Sequence, residues 1–90
     1  MLMALGDYRV GVTFNPSGSD DVTRIKRLAA DLINFLELKR EQFQQRGNDP
    51  EILRLIELAQ QSIEDGAMWG VKAVTKAPRP PAVPGPLKPR

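Results

Sequence analysis

Between Ser19 and Arg46 the chain has no glycine and no proline, and its apolar residues fall at Val22, Ile25, Leu28/Ala29, Leu32, Phe35/Leu36 and Phe43. Recurrence at three and four residues is the period of one helix face. Ser19 or Asp20 supplies an oxygen for the N-cap, and Gly47 stands where the helix should end. A second helix opens on "NDPEI". Asp49 is its N-cap, Pro50 takes the first helical position, where a missing N–H costs nothing, and Glu51 faces the positive end of the helix dipole. Its apolar positions run through Ile52, Leu55/Ile56, Ala59, Ile63, Ala67, Trp69/Gly70 and Val74 to Lys76. Two long helices joined by so short a segment read as an antiparallel hairpin, and the predicted fold class is all-α.

A hairpin alone has too little to pack against. A 90-residue chain buries only about 60 to 65% of its unfolded surface. Ile33, Leu38, Leu53, Leu58, Met68 and Val71 lie beyond a single stripe and widen the face that needs cover. Completion by homo-oligomerisation is therefore expected, with the N-terminal segment supplying the rest. Gly66 and Gly70, four apart, either allow a close approach of backbones or mark a local weakness in the helix.

Three segments follow: an arm and turn over 1–18, the helical hairpin over 19–76, and a tail over 77–90. In the first, Tyr8, Val10, Val12 and Phe14 alternate at strand period, but no partner strand exists in the chain. An extended arm is the expectation, with a short helix over 2–5 as the alternative. The tail, "APRPPAVPGPLKPR", holds six of the eight prolines and reads as a flexible appendage. It lacks the spacing of a basic-x-x-Pro-x-x-Pro recognition motif.

The chain has no cysteine and no histidine. Disulfides and thiolate chemistry are excluded, and hydrolytic or zinc chemistry would need carboxylates alone. The carboxylates Glu37, Glu41, Glu57, Glu64 and Asp65 show no paired metal spacing and read as surface charge. No Walker-type phosphate loop is present. The reading is a protein that is not an enzyme and has no resident cofactor. No run approaches the roughly 20 apolar residues of a membrane span, and the start lacks the basic region of a signal peptide, so a cytoplasmic product is expected. The net charge is +2, but residues 1–76 carry 10 basic and 11 acidic residues, leaving no basic face for DNA.

The stretch "TFNPSGSDDVTRIKR" gathers the candidate ligand groups. Phe14 offers a ring on which a base can stack, Asn15 offers a donor and an acceptor, and Arg24, Lys26 and Arg27 follow a helix start whose N–H groups favour phosphate. The other reading makes Phe14 a staple of the hairpin and the basic residues a solvated face balanced by Asp20, Asp21 and Asp31. On the residues alone this second reading has the better claim, because Asp20 and Asp21 repel a phosphate at the cap. "GAMWGVKAVTK" is a further notable stretch, in which Trp69 is read as core or interface packing.

Taken in order, "TFNPSG", "RIKRLAADLINFL", a short turn and "SIEDGAMWGVKAVTK" resemble the phage hairpin domain shared by anti-CBASS and anti-Thoeris nucleotide sponges. The resemblance spans 8–76, and the small size is similar to the anti-CBASS branch. It implies a phage immune-evasion protein, at work in the cytoplasm of the infected bacterium, that sequesters cyclic dinucleotides such as 3′,3′-cyclic GMP-AMP without cleaving them. It further implies a hexamer with pockets between pairs of protomers and, in some members, separate pockets for cyclic trinucleotides. An aromatic and a lysine sandwich the purines in that family. Phe14 and Lys26 match them, with Asn15 as polar neighbour, Tyr8 as second candidate for stacking, and phenylalanine standing where the family often has tyrosine. The alternative function is a structural adaptor, a hairpin that oligomerises and recruits a host protein through its tail.

Overall fold

The computed structural model describes residues 3–80. It is built from three helices, α1 (Leu5–Val10), α2 (Asp20–Arg46) and α3 (Pro50–Thr75), and the described residues contain no strand. The boundaries of the long helices follow from local chemistry. Ser19 Oγ accepts from the amides of Asp21 and Val22 at 3.2 and 3.4 Å, which caps α2. At its other end Gly47 adopts φ 146° and Asn48 φ 57°, and the Asn48 amide returns to the Phe43 carbonyl at 3.0 Å. Asp49 Oδ1 then accepts from the Glu51 amide at 2.9 Å, and Pro50 begins α3.

The helices α2 and α3 lie antiparallel, as expected for a hairpin. Their register is visible in three pairings: Gly70 against Ile25, Gln60 against Ile33, and Glu57 against Arg40. The intrachain core is narrow. Val22, Ala30, Ile33, Ile56 and Ala67 are its buried apolar members, and Ile33 and Gln60 are fully enclosed. Gln60 is satisfied there. Its Nε2 donates to the Ile33 carbonyl and to Glu37 Oε1, both at 3.2 Å, while its Oε1 accepts from Arg40 at 3.1 Å. Arg40 also pairs with Glu37 and Glu57, so these two carboxylates belong to a cross-helix network rather than to a plain solvated face.

The buried stripe of α2 reads Val22, Lys26, Ala30, Ile33. Sequence spacing points instead to Leu28, Leu32 and Phe35, which are exposed, Phe35 at 54%. The helix carries two apolar faces, and only the one centred on Ala30 is covered within the chain. Within the protomer Gly66 and Gly70 make no close backbone contact: a Cβ on Gly70 would meet Ile25 at an ordinary 3.4 Å, and one on Gly66 would meet nothing.

The N-terminal segment corrects the expectation of an extended arm. With no strand to pair with, its backbone satisfies itself as the short helix α1, which starts at Leu5 where the alternative reading had it end. Gly11, at φ 72°, closes it with amide bonds from Gly11 and Val12 to the Asp7 carbonyl. Side chains of α2 then fix α1 in place. Asn34 Oδ1 accepts from the Gly6 amide at 2.6 Å, Asn34 Nδ2 donates to Asp7, and Arg27 grips both Asp7 oxygens at 2.6 and 3.1 Å. Gly6 is buried so tightly that a Cβ would strike the Ala30 carbonyl. Arg9 ties the same helix to Glu64 of α3 at 2.8 Å. Of the proline-rich tail expected over 77–90, residues 77–80 are exposed and outside any helix, and 81–90 lie outside the described residues, as does residue 2 of the alternative 2–5 helix.

Candidate functional site

At the open end of the hairpin, the chain between α1 and α2 folds into a turn held from three sides. The Phe14 amide donates to the Gly11 carbonyl at 3.0 Å. The Phe14 carbonyl in turn accepts from Lys26 Nζ, which donates also to the Gly11 carbonyl at 3.0 Å. Asn15 holds the third side, donating from Nδ2 to the Ser19 carbonyl at 2.9 Å and to Thr23 Oγ1 at 3.0 Å. Its Oδ1 accepts from Ser17 Oγ at 2.7 Å and from the Gly18 amide at 3.1 Å. Gly18, at φ 67°, occupies a conformation that favours glycine, and its amide also reaches the Asn15 carbonyl at 3.1 Å.

The result is a fixed backbone carrying an open ring. Phe14 is 69% exposed, so it is no staple of the protomer's core, and Lys26 Nζ stands 5.3 Å from its centroid. Lys26 is only 9% exposed. It lies on the buried stripe of α2, and its ammonium reaches the turn. Beside the ring lies a cavity of about 230 Å³, walled by Phe14, Asn15, Val22, Lys26, Val71 and Thr75. A second, of about 290 Å³, opens on the other side of Lys26 and Val71, where Arg9, Glu64 and Asp65 contribute charge.

The remaining sequence candidates are not gathered equally. Arg27 faces Asp7 and Asp31, and those two hydrogen-bonded carboxylates hold its guanidinium still more firmly protonated than usual. Asp7, in contact with Arg27 and then Asn34, titrates below the ordinary carboxylate value of 3.8. Arg24 is exposed and makes no ion pair among the described residues. Tyr8 is 75% exposed on α1 and is not among the residues that wall the cavity beside Phe14. The helix start itself is occupied: the amides of Gly18, Ser19, Asp21 and Val22 all donate to the chain's own side-chain oxygens. A phosphate held by those amides, as the sequence suggested, would have to displace them.

Val71 and Thr75 are wall residues that reasoning from charge and aromatics passed over. Their signal was position: both lie in "AMWGVKAVTK", and Thr75 Oγ1 donates back to the Val71 carbonyl at 2.8 Å, keeping the helix end in shape. Trp69, expected in packing, is 60% exposed in the protomer with Lys72 Nζ 5.5 Å from its ring. No helix among the described residues is long and apolar enough to cross a membrane.

A two-helix hairpin, braced by a short third helix and carrying an exposed aromatic ring beside a lysine at its open end, defines a small all-α module. Residues 7–75 match the family model described as "Acb2/Tad1, hairpin domain", and the chain belongs to that family. No curated protein and no solved structure matches the chain.

Proposed function

We propose that this protein is a phage anti-CBASS sponge that binds cyclic dinucleotides, 3′,3′-cyclic GMP-AMP among them, and withholds them from the bacterial effector without cleaving them. The observation that carries the reading is the Phe14 ring, open to solvent on a turn held by hydrogen bonds, with the ammonium of the largely buried Lys26 beside it. Membership of the Acb2/Tad1 hairpin family is consistent with a nucleotide-sponge role. A purine stacked on Phe14 contributes about 1 to 3 kcal/mol. Lys26 keeps one N–H beyond the two it gives to carbonyls, and Arg24 is the exposed cation of the cluster that makes no ion pair among the described residues, so these two are the groups assigned to phosphate. Asn15, Arg27 and Tyr8 complete the proposed site, Arg27 through its hold on α1.

The cavity beside Phe14, about 230 Å³, is smaller than the ~300–1,000 Å³ usual for a whole ligand. One protomer thus offers room for part of a two-base ligand, and a second protomer supplies the rest. The two-fold symmetry of a cyclic dinucleotide suits such a pairing. The exposed apolar stripe supports a homo-oligomer, for which the family resemblance implies a hexamer, with cyclic trinucleotides as further ligands and the infected cell's cytoplasm as the place of action. The deciding experiment is calorimetric titration with 3′,3′-cyclic GMP-AMP followed by chromatography of the released nucleotide. Binding near one ligand per two chains with intact nucleotide returned is expected. Recovery of linear product would make the protein a phosphodiesterase. Absence of binding across a panel of cyclic di- and trinucleotides would favour the adaptor reading.

A further inference from the structure

Asn15 has the chemistry of a base reader, but its amide is already full. A primary amide has two N–H donors and one carbonyl oxygen with two lone pairs. Both donors and both lone pairs of Asn15 are engaged within the chain, by Ser19, Thr23, Ser17 and Gly18. The orientation of the amide is fixed as well. Gly18 presents a backbone N–H, which needs the oxygen, and Ser19 presents a backbone carbonyl, which needs the nitrogen. A flipped amide would set two donors and two acceptors against each other. For Asn15 to read a base edge, it would have to release the turn that carries Phe14.

We infer that Asn15 is a positioning residue that acts on the ligand through Phe14, and that it makes no base contact of its own. The inference rests on the cyclic-nucleotide reading above for its ligand. Its physical content is local: Asn15 ties the residue next to Phe14 to the first turn of α2, while Lys26 and Gly11 hold Phe14 itself. Cutting the Asn15 ties lets the turn sample other backbone states, and the fraction of molecules presenting the ring correctly falls. Affinity then falls by that fraction for every ligand alike.

A double-mutant cycle tests this. Titrations of the full chain with 3′,3′-cyclic GMP-AMP, cyclic di-AMP and cyclic di-UMP compare wild type, Asn15→Ala, Phe14→Leu and the double variant. Asn15→Ala is expected to weaken all three ligands by a common factor of about ten, the effect of losing hydrogen bonds from one side chain. In the Phe14→Leu background the same substitution is expected to cost little more. Thr23→Val, which removes one of the four partners and leaves Asn15 in place, is expected to act in the same direction and more weakly, and it keeps the test open should Asn15→Ala fold poorly.

Amide exchange in the free protein supplies a readout independent of ligand: the Gly18 and Phe14 amides should exchange faster in Asn15→Ala. A changed ranking of the three nucleotides, or a full loss that persists in the Phe14→Leu background, would overturn the inference by making Asn15 a direct contact. If the wild type binds none of the nucleotides, the function proposed above falls. Unaltered exchange at both amides would then remove the positioning role as well, whereas faster exchange would uphold Asn15 as the residue that fixes Phe14.

Discussion

Phe14 and Lys26 are neighbours in space with opposite commitments: the ring is turned outward, and the ammonium is turned into the turn's carbonyls. Their substitutions should therefore separate affinity from stability. Phe14→Ala is expected to lose the stacking contribution, about 1 to 3 kcal/mol or roughly 5- to 150-fold in Kd, and to leave chemical denaturation almost unchanged. Phe14→Tyr should retain binding. Lys26→Met should lower both, because it removes two charge-assisted hydrogen bonds, leaving the Phe14 carbonyl without its donor and the Gly11 carbonyl with the Phe14 amide alone; a loss of about 2 kcal/mol in urea unfolding is expected. Equal stability losses for Phe14→Ala and Lys26→Met would contradict this division of roles. The residue types at 14, 15 and 26 were legible in the sequence. Their commitments were not, since the partners of Lys26 lie 12 and 15 residues away and depend on how α1 ends.

At the scale of elements, α2 and α3 were legible because each boundary is written locally: Ser19, Gly47, Asp49 and Pro50 all act within a few residues of their own position. The short helix α1 was not, because six residues rarely hold a helix by themselves and its stability comes from α2. Two predictions test that dependence. Gly6→Ala places a methyl against the Ala30 carbonyl and should undock α1, at a cost of about 1 to 3 kcal/mol, visible as lost amide protection at Tyr8 and Gly11. The second concerns pH. Asp7 is depressed by Arg27 and Asn34, so its contribution is present above its unfolded value of 3.8 and is lost as pH falls through the lower folded value. Docking of α1 should therefore weaken on acidification below about pH 4, and Asp7→Asn should remove that part of the pH dependence. An unchanged acid profile in Asp7→Asn would assign the transition to other carboxylates.

For the molecule as a whole, the covered core is thin and the uncovered apolar surface is large. Two of its five buried apolar residues are alanines, while Leu28, Leu32 and Phe35 form an exposed stripe at helical spacing along α2. Each such side chain contributes about 1.5 to 3 kcal/mol when fully buried, so an assembly covering the stripe would add several kcal/mol of stabilisation. Folding and association should then be linked, with a melting temperature that rises with protein concentration. Leu32→Glu combined with Phe35→Glu lies on the face opposite the Ala30 stripe and leaves Phe14, Asn15 and Lys26 untouched. In sedimentation equilibrium the wild type is expected at a multiple of the chain mass and the double variant at a lower multiple, with the concentration dependence of melting reduced. On the proposal that two protomers share one ligand, the double variant should also bind cyclic dinucleotide more weakly despite an intact turn. A wild type that sediments at single-chain mass and still binds one nucleotide per chain would place the whole pocket within one protomer, and the stripe would then have another partner.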